Sequence, residues 1–131
     1  MEILKKYMEE IAAELKIDEL NLKESSLRAP ARKHFWVSKL INHKVELNRL
    51  KKNRDKRLKE IMKKTEEAAP VQLSRSNLEK MVESTDEMKN LSNEIHEYEC
   101  IVEYLEKVEK IYSSLTYDIK NMVKMTEIEQ L

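Results

Sequence analysis

An all-α fold is predicted by three features of this 131-residue sequence. The chain contains no glycine and only two prolines, Pro30 and Pro70, so few positions favour tight turns or broken helices. Its apolar side chains recur every three or four residues, which is the spacing of one face of an α-helix. Together these features predict a long antiparallel helical hairpin with short helices before it.

Short N-terminal helices are predicted over residues 1–29. Apolar residues between positions 3 and 15 follow the spacing of an amphipathic helix, and a second short apolar pattern comes after it. The second pattern is expected to end before Pro30, because Ala29 precedes a proline and is therefore disfavoured in the α region. Pro30 is instead well placed as the first residue of the next helix. Residues 30–131 then form the remainder of the fold.

The first long helix is predicted over residues 31–64, which lack both glycine and proline. An apolar stripe with coiled-coil-like spacing runs along it. Trp36 begins this stripe, so we expect it to pack in the core rather than to stack on a nucleic-acid base. The members of the stripe are Trp36, Leu40, Leu47, Leu50, Leu58 and Ile61.

A connector is predicted over residues 65–75, where small and polar residues surround Pro70. The second long helix is expected to follow over residues 76–125. Ser76 and Glu79 have the spacing of a capping box, in which two side chains satisfy free backbone N–H groups at a helix start. The connector therefore separates the two arms of the predicted hairpin.

The second long helix carries the most regular apolar seam in the chain. Its positions alternate by three and four residues, a period that predicts packing against another helix. Weak helix formers at Ser113, Ser114 and Thr116 allow a kink or break near its end. We predict that the seam carries oligomerisation. Its members are Met88, Leu91, Ile95, Tyr98, Val102, Leu105, Tyr112, Leu115 and Ile119.

The net charge of zero conceals a strong asymmetry. The chain has 25 basic and 25 acidic side chains, a balance that by itself suggests no nucleic-acid partner. Residues 28–64, however, hold 14 basic and 3 acidic side chains, a net of +11, whereas residues 66–110 hold 5 and 12, a net of −7. One strongly basic helix is therefore expected beside acidic ones.

The basic side chains of the first long helix form a stripe opposite its apolar seam. Cations that alternate by three and four residues share one helix face, and the leucines lie about two residues out of phase with them. Lys51 and Arg57 flank this stripe, and Arg54 falls on the apolar seam itself. The residues predicted to bind a nucleic-acid backbone are Arg49, Lys51, Lys52, Arg54, Lys56, Arg57, Lys59 and Lys63.

The basic stripe could also be a solvated lysine face, or a set of cations that pair with the acidic C-terminal helix. If DNA binds, no base stacking is expected from this helix, because the sequence has no aromatic residue between Val37 and Tyr98. Binding would then use the phosphate backbone, weaken steeply with salt and be largely independent of base sequence.

No enzyme activity, cofactor or metal site is predicted. Phosphate-binding loops and nucleophile elbows require glycine, which the chain lacks. His96 and Cys100 lie one helical turn apart, but two ligands do not make a zinc site. The single cysteine cannot form an internal disulfide, and no apolar run is long enough to cross a bilayer, so a cytoplasmic location is expected.

A resemblance to a known family rests on motifs spread over residues 15–125. Residues 17–30 contain an Ile-Asp pair and a Glu-Ser-Ser-Leu run before Pro30, and a basic helix follows. Residues 104–106 read Tyr-Leu-Glu, and residues 116–121 read Thr-Tyr-Asp-Ile-Lys-Asn. In this combination the chain resembles the UvsY-type recombination mediators of T-even-like bacteriophages.

The resemblance implies a function that composition alone does not. Such mediators are all-α subunits of a homo-oligomeric ring; they bind single-stranded DNA and help a RecA-like phage recombinase to displace the single-stranded-DNA-binding protein. They are not enzymes, and the resemblance implies action in the cytoplasm of the infected cell. In the family, basic residues before the connector contact DNA, which here implies residues 51–63 with Lys56, Arg57 and Lys59 at the centre. The alternative is a structural coiled-coil adaptor without DNA binding.

Overall fold

The computed structural model describes residues 2–17, 21–69 and 71–130 and is built from four α-helices. Across these described residues no strand occurs, so the predicted all-α class is confirmed. None of the described helices combines the length and the apolar character needed to cross a membrane. In chain order the helices are α1 (Glu2–Glu14), α2 (Leu22–Ala68), α3 (Arg75–Glu83) and α4 (Asp86–Glu129).

Helix α2 begins nine residues before its predicted start and continues through Pro30. The prediction that the helix opens at this proline is therefore wrong. A proline inside a helix removes one backbone hydrogen bond and costs about 3 kcal/mol. Side chains on both sides of it are buried, namely Ser25, Ala29 and Trp36. We attribute the continuity of α2 to this packing, which offsets the local cost.

The predicted helix over residues 76–125 is divided in two by Ser84 and Thr85, which separate α3 from α4. The Ser84 hydroxyl donates to the carbonyl of Met81 at 2.7 Å, and the Thr85 hydroxyl donates to the carbonyl of Val82 at 2.7 Å. Serine and threonine side chains that bond to nearby backbone groups compete with helix continuation. The prediction of a single helix is thus corrected, because these two hydroxyls satisfy the last carbonyls of α3.

The start of α3 is also displaced from its predicted position. Ser74 is the N-cap, and its side-chain oxygen accepts a hydrogen bond from the backbone N–H of Asn77 at 3.2 Å. Ser76, the predicted cap, lies inside the helix. The predicted capping box of Ser76 and Glu79 is therefore wrong: a serine caps the helix, but it is Ser74, two residues earlier, and the residue three positions after it is Asn77.

Helix α4 shows no break near Ser113. The Ser113 hydroxyl donates to the carbonyl of Glu109 at 3.0 Å, and the Thr116 hydroxyl donates to the carbonyl of Tyr112 at 3.3 Å. These bonds run back along the helix by four residues, so the weak helix formers are accommodated within it.

Contacts between the helices define two compact units. One contains Met1–His43 and Cys100–Leu131, and the other contains Lys44–Glu99, so that α2 and α4 contribute to both. These units are defined by contacts in space, whereas the predicted division between residues 29 and 30 follows the order of the chain. The predicted division therefore stays a prediction.

Glu14 joins three helices in the first unit. Its carboxylate accepts hydrogen bonds from the indole N–H of Trp36 at 2.9 Å and from the Tyr112 hydroxyl, and it pairs with Arg32. Burial opposes ionisation of Glu14, but the hydrogen bonds from these three partners outweigh it and hold the pKa of Glu14 below its ordinary value. Burial and the neighbouring Glu14 carboxylate raise the pKa of Tyr112.

An aromatic cluster packs beside Glu14. Trp36 is 1% exposed, which confirms its predicted place in the core. The Tyr7 ring meets Trp36 edge-on with 5.2 Å between centroids, and the Tyr7 hydroxyl lies 3.0 Å from Nε2 of His43. Because Tyr7 belongs to α1 and the other two residues belong to α2, the cluster fixes α1 against the first half of α2.

The second unit has its own apolar cluster. Leu78 and Val82 of α3 and Met88 of α4 are buried. Leu58, Ile61 and Met62 of α2 pack against them, together with Leu73 and Leu91. The short α3 thereby covers the apolar face near the end of α2, and this packing sets which side of α2 faces solvent in this unit.

Replacing the Glu14 carboxylate by an amide is expected to destabilise the protein. Glu14→Gln weakens three charge-assisted hydrogen bonds, and we expect a loss of about 2 kcal/mol in the free energy of unfolding at pH 7. The carboxylate contributes fully above its ordinary pKa of 4.5, and its contribution is lost as the pH falls through the lowered pKa of the folded state. Urea unfolding at several pH values measures this difference.

Glu10→Gln is the matched control for this experiment. The Glu10 carboxylate is more exposed and lies 3.5 Å from Arg32, so its replacement should change stability much less. Equal effects of the two substitutions, or a difference that does not shrink under acidic conditions, would contradict the central role given to Glu14.

Candidate nucleic-acid interface

The orientation of α2 in the Lys44–Glu99 unit follows from its apolar seam. Leu47 and Leu50 are buried, and Leu58 and Ile61 are half-buried. These four residues lie on one side of the helix, in agreement with the predicted stripe. The opposite side of α2 is consequently directed to solvent, and the basic residues between the two sides lie along the edges of the contact.

Arg54 lies at such an edge and bonds to two other helices. Its Nε donates to the Ser92 hydroxyl of α4 at 2.9 Å, and its guanidinium lies 3.3 Å from the Glu83 carboxylate of α3. The Arg54 side chain is only 23% exposed. The structure therefore engages Arg54 in packing between helices, although the sequence prediction placed it in the DNA-binding set.

Three further predicted cations have acidic partners. Nε of Arg57 lies 2.5 Å from Glu87 of α4, a hydrogen bond that raises the pKa of Arg57 and lowers the pKa of Glu87. Nζ of Lys51 lies 3.7 Å from Glu99 of α4. Arg49 donates to Glu46 within α2. The possibility that cations pair with the acidic C-terminal segment, predicted as one helix over residues 76–125, thus holds for Lys51, Arg54 and Arg57. Arg49 pairs within α2 instead.

Four predicted cations have no such partner. Lys52, Lys56, Lys59 and Lys63 are exposed, and within the described residues none of them makes a hydrogen bond or ion pair. Their spacing of four, three and four residues places them within about 60° of arc at 100° per residue, over about 16 Å of helix. We call these four residues the lysine stripe.

The lysine stripe can bind phosphate but has little means to read bases. Each ammonium group is a compact charge with three hydrogen-bond donors, which suits a phosphate oxygen without fixing its direction. No aromatic residue lies in this part of α2. The arrangement therefore suits a nucleic-acid backbone that is contacted at several successive phosphates.

The predicted oligomerisation seam is mostly buried inside the single chain. Leu91, Tyr98 and Leu115 are half-buried. Exposed apolar side chains outside the seam also lie on α4, among them Tyr117, which is 65% exposed, and Met125. The assignment of the seam to oligomerisation stays a prediction. Six of its nine members are buried, namely Met88, Ile95, Val102, Leu105, Tyr112 and Ile119.

No metal-binding cluster occurs among the residues that the structure describes. Nowhere in residues 2–17, 21–69 and 71–130 do three or more His, Cys, Asp or Glu side chains converge in a way that could hold an ion. His96 and Cys100, singled out in the sequence, therefore have no third ligand of these types within that part of the chain.

Comparison with protein families identifies the relatives of this fold. Residues 10–130 match the model of a family described as recombination, repair and ssDNA binding protein UvsY. The chain belongs to the UvsY family. This membership confirms the resemblance inferred from the sequence motifs, and the matched residues include both the lysine stripe and the apolar seam of α4.

A solved structure shares the fold. The crystal structure of the bacteriophage T4 recombination mediator protein UvsY superposes with a TM-score of 0.83 at 14% sequence identity, covering 96% of this chain and 98% of the T4 chain. At this low identity the superposition establishes the common architecture of the UvsY fold. Comparison with curated proteins finds no match.

In this UvsY-family chain, replacing a basic residue that bonds to other helices is expected to affect stability more than replacing a lysine of the lysine stripe. Arg54→Ala removes the bonds to Ser92 and Glu83 and should lower the free energy of unfolding by about 1 kcal/mol. Lys56→Ala removes an exposed side chain without a partner in the described part of the chain and should change it by less than about 0.5 kcal/mol. Urea unfolding of the two variants beside the parent chain checks this. A larger loss from Lys56→Ala would show that the two residues have been assigned the wrong roles.

Proposed function

We propose that this chain is a recombination mediator that binds single-stranded DNA without sequence specificity and helps to load a RecA-like recombinase in phage homologous recombination and repair. The observation that carries the proposal is the lysine stripe. Its four ammonium groups share one exposed face and have no partner among the described residues. Membership of a family described by recombination, repair and ssDNA binding supports the same conclusion.

The energy of this binding comes mainly from the DNA backbone. Each phosphate that a lysine neutralises releases condensed counterions, so affinity falls as the salt concentration rises. Lys52, Lys56, Lys59 and Lys63 supply up to four such contacts in each chain. Lys56 and Lys59 remain central to the proposed site, whereas Arg57 is already hydrogen-bonded to Glu87 and is a weaker candidate.

Weak binding by one chain becomes strong when several chains act together. We propose that the chain assembles into a homo-oligomeric ring. In a ring, a DNA strand bound at one subunit is held close to the sites of the neighbouring subunits, so its effective concentration at those sites is high. Exposed apolar side chains such as Tyr117 and Met125 are available for contacts between subunits. Light scattering tests this step: a mass that is a multiple of the chain mass is expected, and a monomer would contradict the ring.

The recombinase and the single-stranded-DNA-binding protein are proposed partners in the same process. The support is family membership together with the name of the T4 protein, a recombination mediator. The acidic N-terminal segment, with 7 acidic and 4 basic side chains in residues 1–27, is the surface that we propose for protein partners. Such a protein would act in the cytoplasm of the infected cell and would need neither catalysis nor a cofactor.

Removal of the lysine stripe is expected to weaken DNA binding and its salt dependence. In a variant with Lys52, Lys56, Lys59 and Lys63 all changed to Gln, the slope of log affinity against log salt should fall by about 3, since each phosphate contact contributes about 0.7. Fluorescence anisotropy with labelled oligo(dT) over a series of salt concentrations measures the slope.

A second variant controls for the change in net charge. It carries the same substitution at four exposed lysines of α4, and it should retain most of the affinity and the slope of the parent chain. Equal losses in the two variants would show a diffuse charge effect, and no binding by the parent chain at low salt would favour the coiled-coil adaptor. The control lysines are Lys107, Lys110, Lys120 and Lys124.

A further inference from the structure

A groove in the Lys44–Glu99 unit adjoins the lysine stripe. It has a volume of about 340 Å³ and is lined by residues near the end of α2, the segment before α3 and the first turn of α3. Lys59 and Lys63 of the stripe line it together with Arg75, the first residue of α3. Three cationic side chains from two helices therefore share one groove. The other lining residues are Met62, Glu66, Leu73 and Leu78.

We propose that this groove carries the path of single-stranded DNA from the lysine stripe onto α3, with Arg75 as an additional phosphate-contacting residue. The inference rests on the function proposed above and adds to it a residue from a different helix. Arg75 lies in the predicted connector, so the periodicity that identified the stripe on α2 could not have found it.

The chemistry of Arg75 supports this role. Its side chain is exposed, and in the described part of the chain it makes no hydrogen bond or ion pair. A guanidinium group presents a planar fork of donors that can hold two oxygens of one phosphate, whereas a lysine acts as a point charge. Arg75 is therefore suited to fix the direction of a backbone that the lysines only attract.

The walls of the groove strengthen this attraction. Leu78 is buried, and Met62 and Leu73 are half-buried. A cleft of predominantly one charge with apolar walls concentrates the electric field, because the walls have a low dielectric constant. Among the described residues that line the groove, Glu66 is the one with an acidic side chain, and its charge would oppose a bound phosphate. Removal of the Arg75 charge should therefore weaken DNA binding, and removal of the Glu66 charge should strengthen it.

Three single substitutions test the proposal with labelled oligo(dT). Arg75→Gln should weaken binding about fivefold at about 0.1 M salt and lower the salt slope by about 0.7, the contribution of one phosphate contact. Glu66→Gln should tighten binding. Lys80→Gln is the matched control, because Lys80 is exposed on α3 but does not line the groove, and it should change affinity by less than twofold.

The outcomes separate this inference from the function on which it rests. If Arg75→Gln binds like the parent chain, or if Lys80→Gln loses as much as Arg75→Gln, the groove is not part of the DNA path, even when removal of the lysine stripe abolishes binding. If the parent chain does not bind oligo(dT) at all, the proposed function itself fails. Circular dichroism of each variant confirms that helix content is unchanged.

Discussion

The rotation of α2 about its own axis is the constraint on which the interface depends. Burial of a leucine side chain contributes about 1.5–3 kcal/mol, whereas an exposed ion pair contributes about 0–1 kcal/mol. Leu47 and Leu50, both buried, therefore decide which side of α2 faces the rest of its unit. Burial of the seam therefore determines where the charged residues lie, and the charged residues do not determine how the helix is oriented. The lysine stripe lies on the face that stays exposed once the seam is buried.

The role of a basic side chain in this unit depends on its position around the axis of α2. Arg54 and Arg57 lie at the edges of the contact, where their forked donors reach side chains of α3 and α4. Lys52 and Lys56 lie on the outer face, where an ammonium on a flexible stem can follow a mobile ligand. Arg54 and Arg57 thus help to set the register between helices in this unit, and the lysine stripe supplies the surface charge.

Periodicity predicted the parts of the structure that repeat and missed those that depend on single contacts. The seam and the stripe recur every three or four residues, so the sequence identified both. The passage of α2 through Pro30 depends on burial around Ala29, which no local rule contains. The break at Ser84 depends on which carbonyls its hydroxyl and that of Thr85 can reach. The same limit applies to the site, since composition cannot tell that Lys51 has an acidic partner whereas Lys52 has none among the residues that the structure describes.

The distribution of charge in the chain has a consequence for the proposed binding of DNA. Glu87 and Glu99 of α4 lie beside Arg57 and Lys51, so much of the positive charge on the edges of α2 is compensated within its own unit. A narrow stripe of cations remains on a chain whose total charge is zero. In the proposed function such a stripe would contact only a few phosphates in each chain, so its affinity for DNA would be modest and sensitive to salt. The proposed function would need this property: each contact with the strand could be exchanged, and the proposed assembly of several chains would keep the whole strand bound until its transfer to the recombinase.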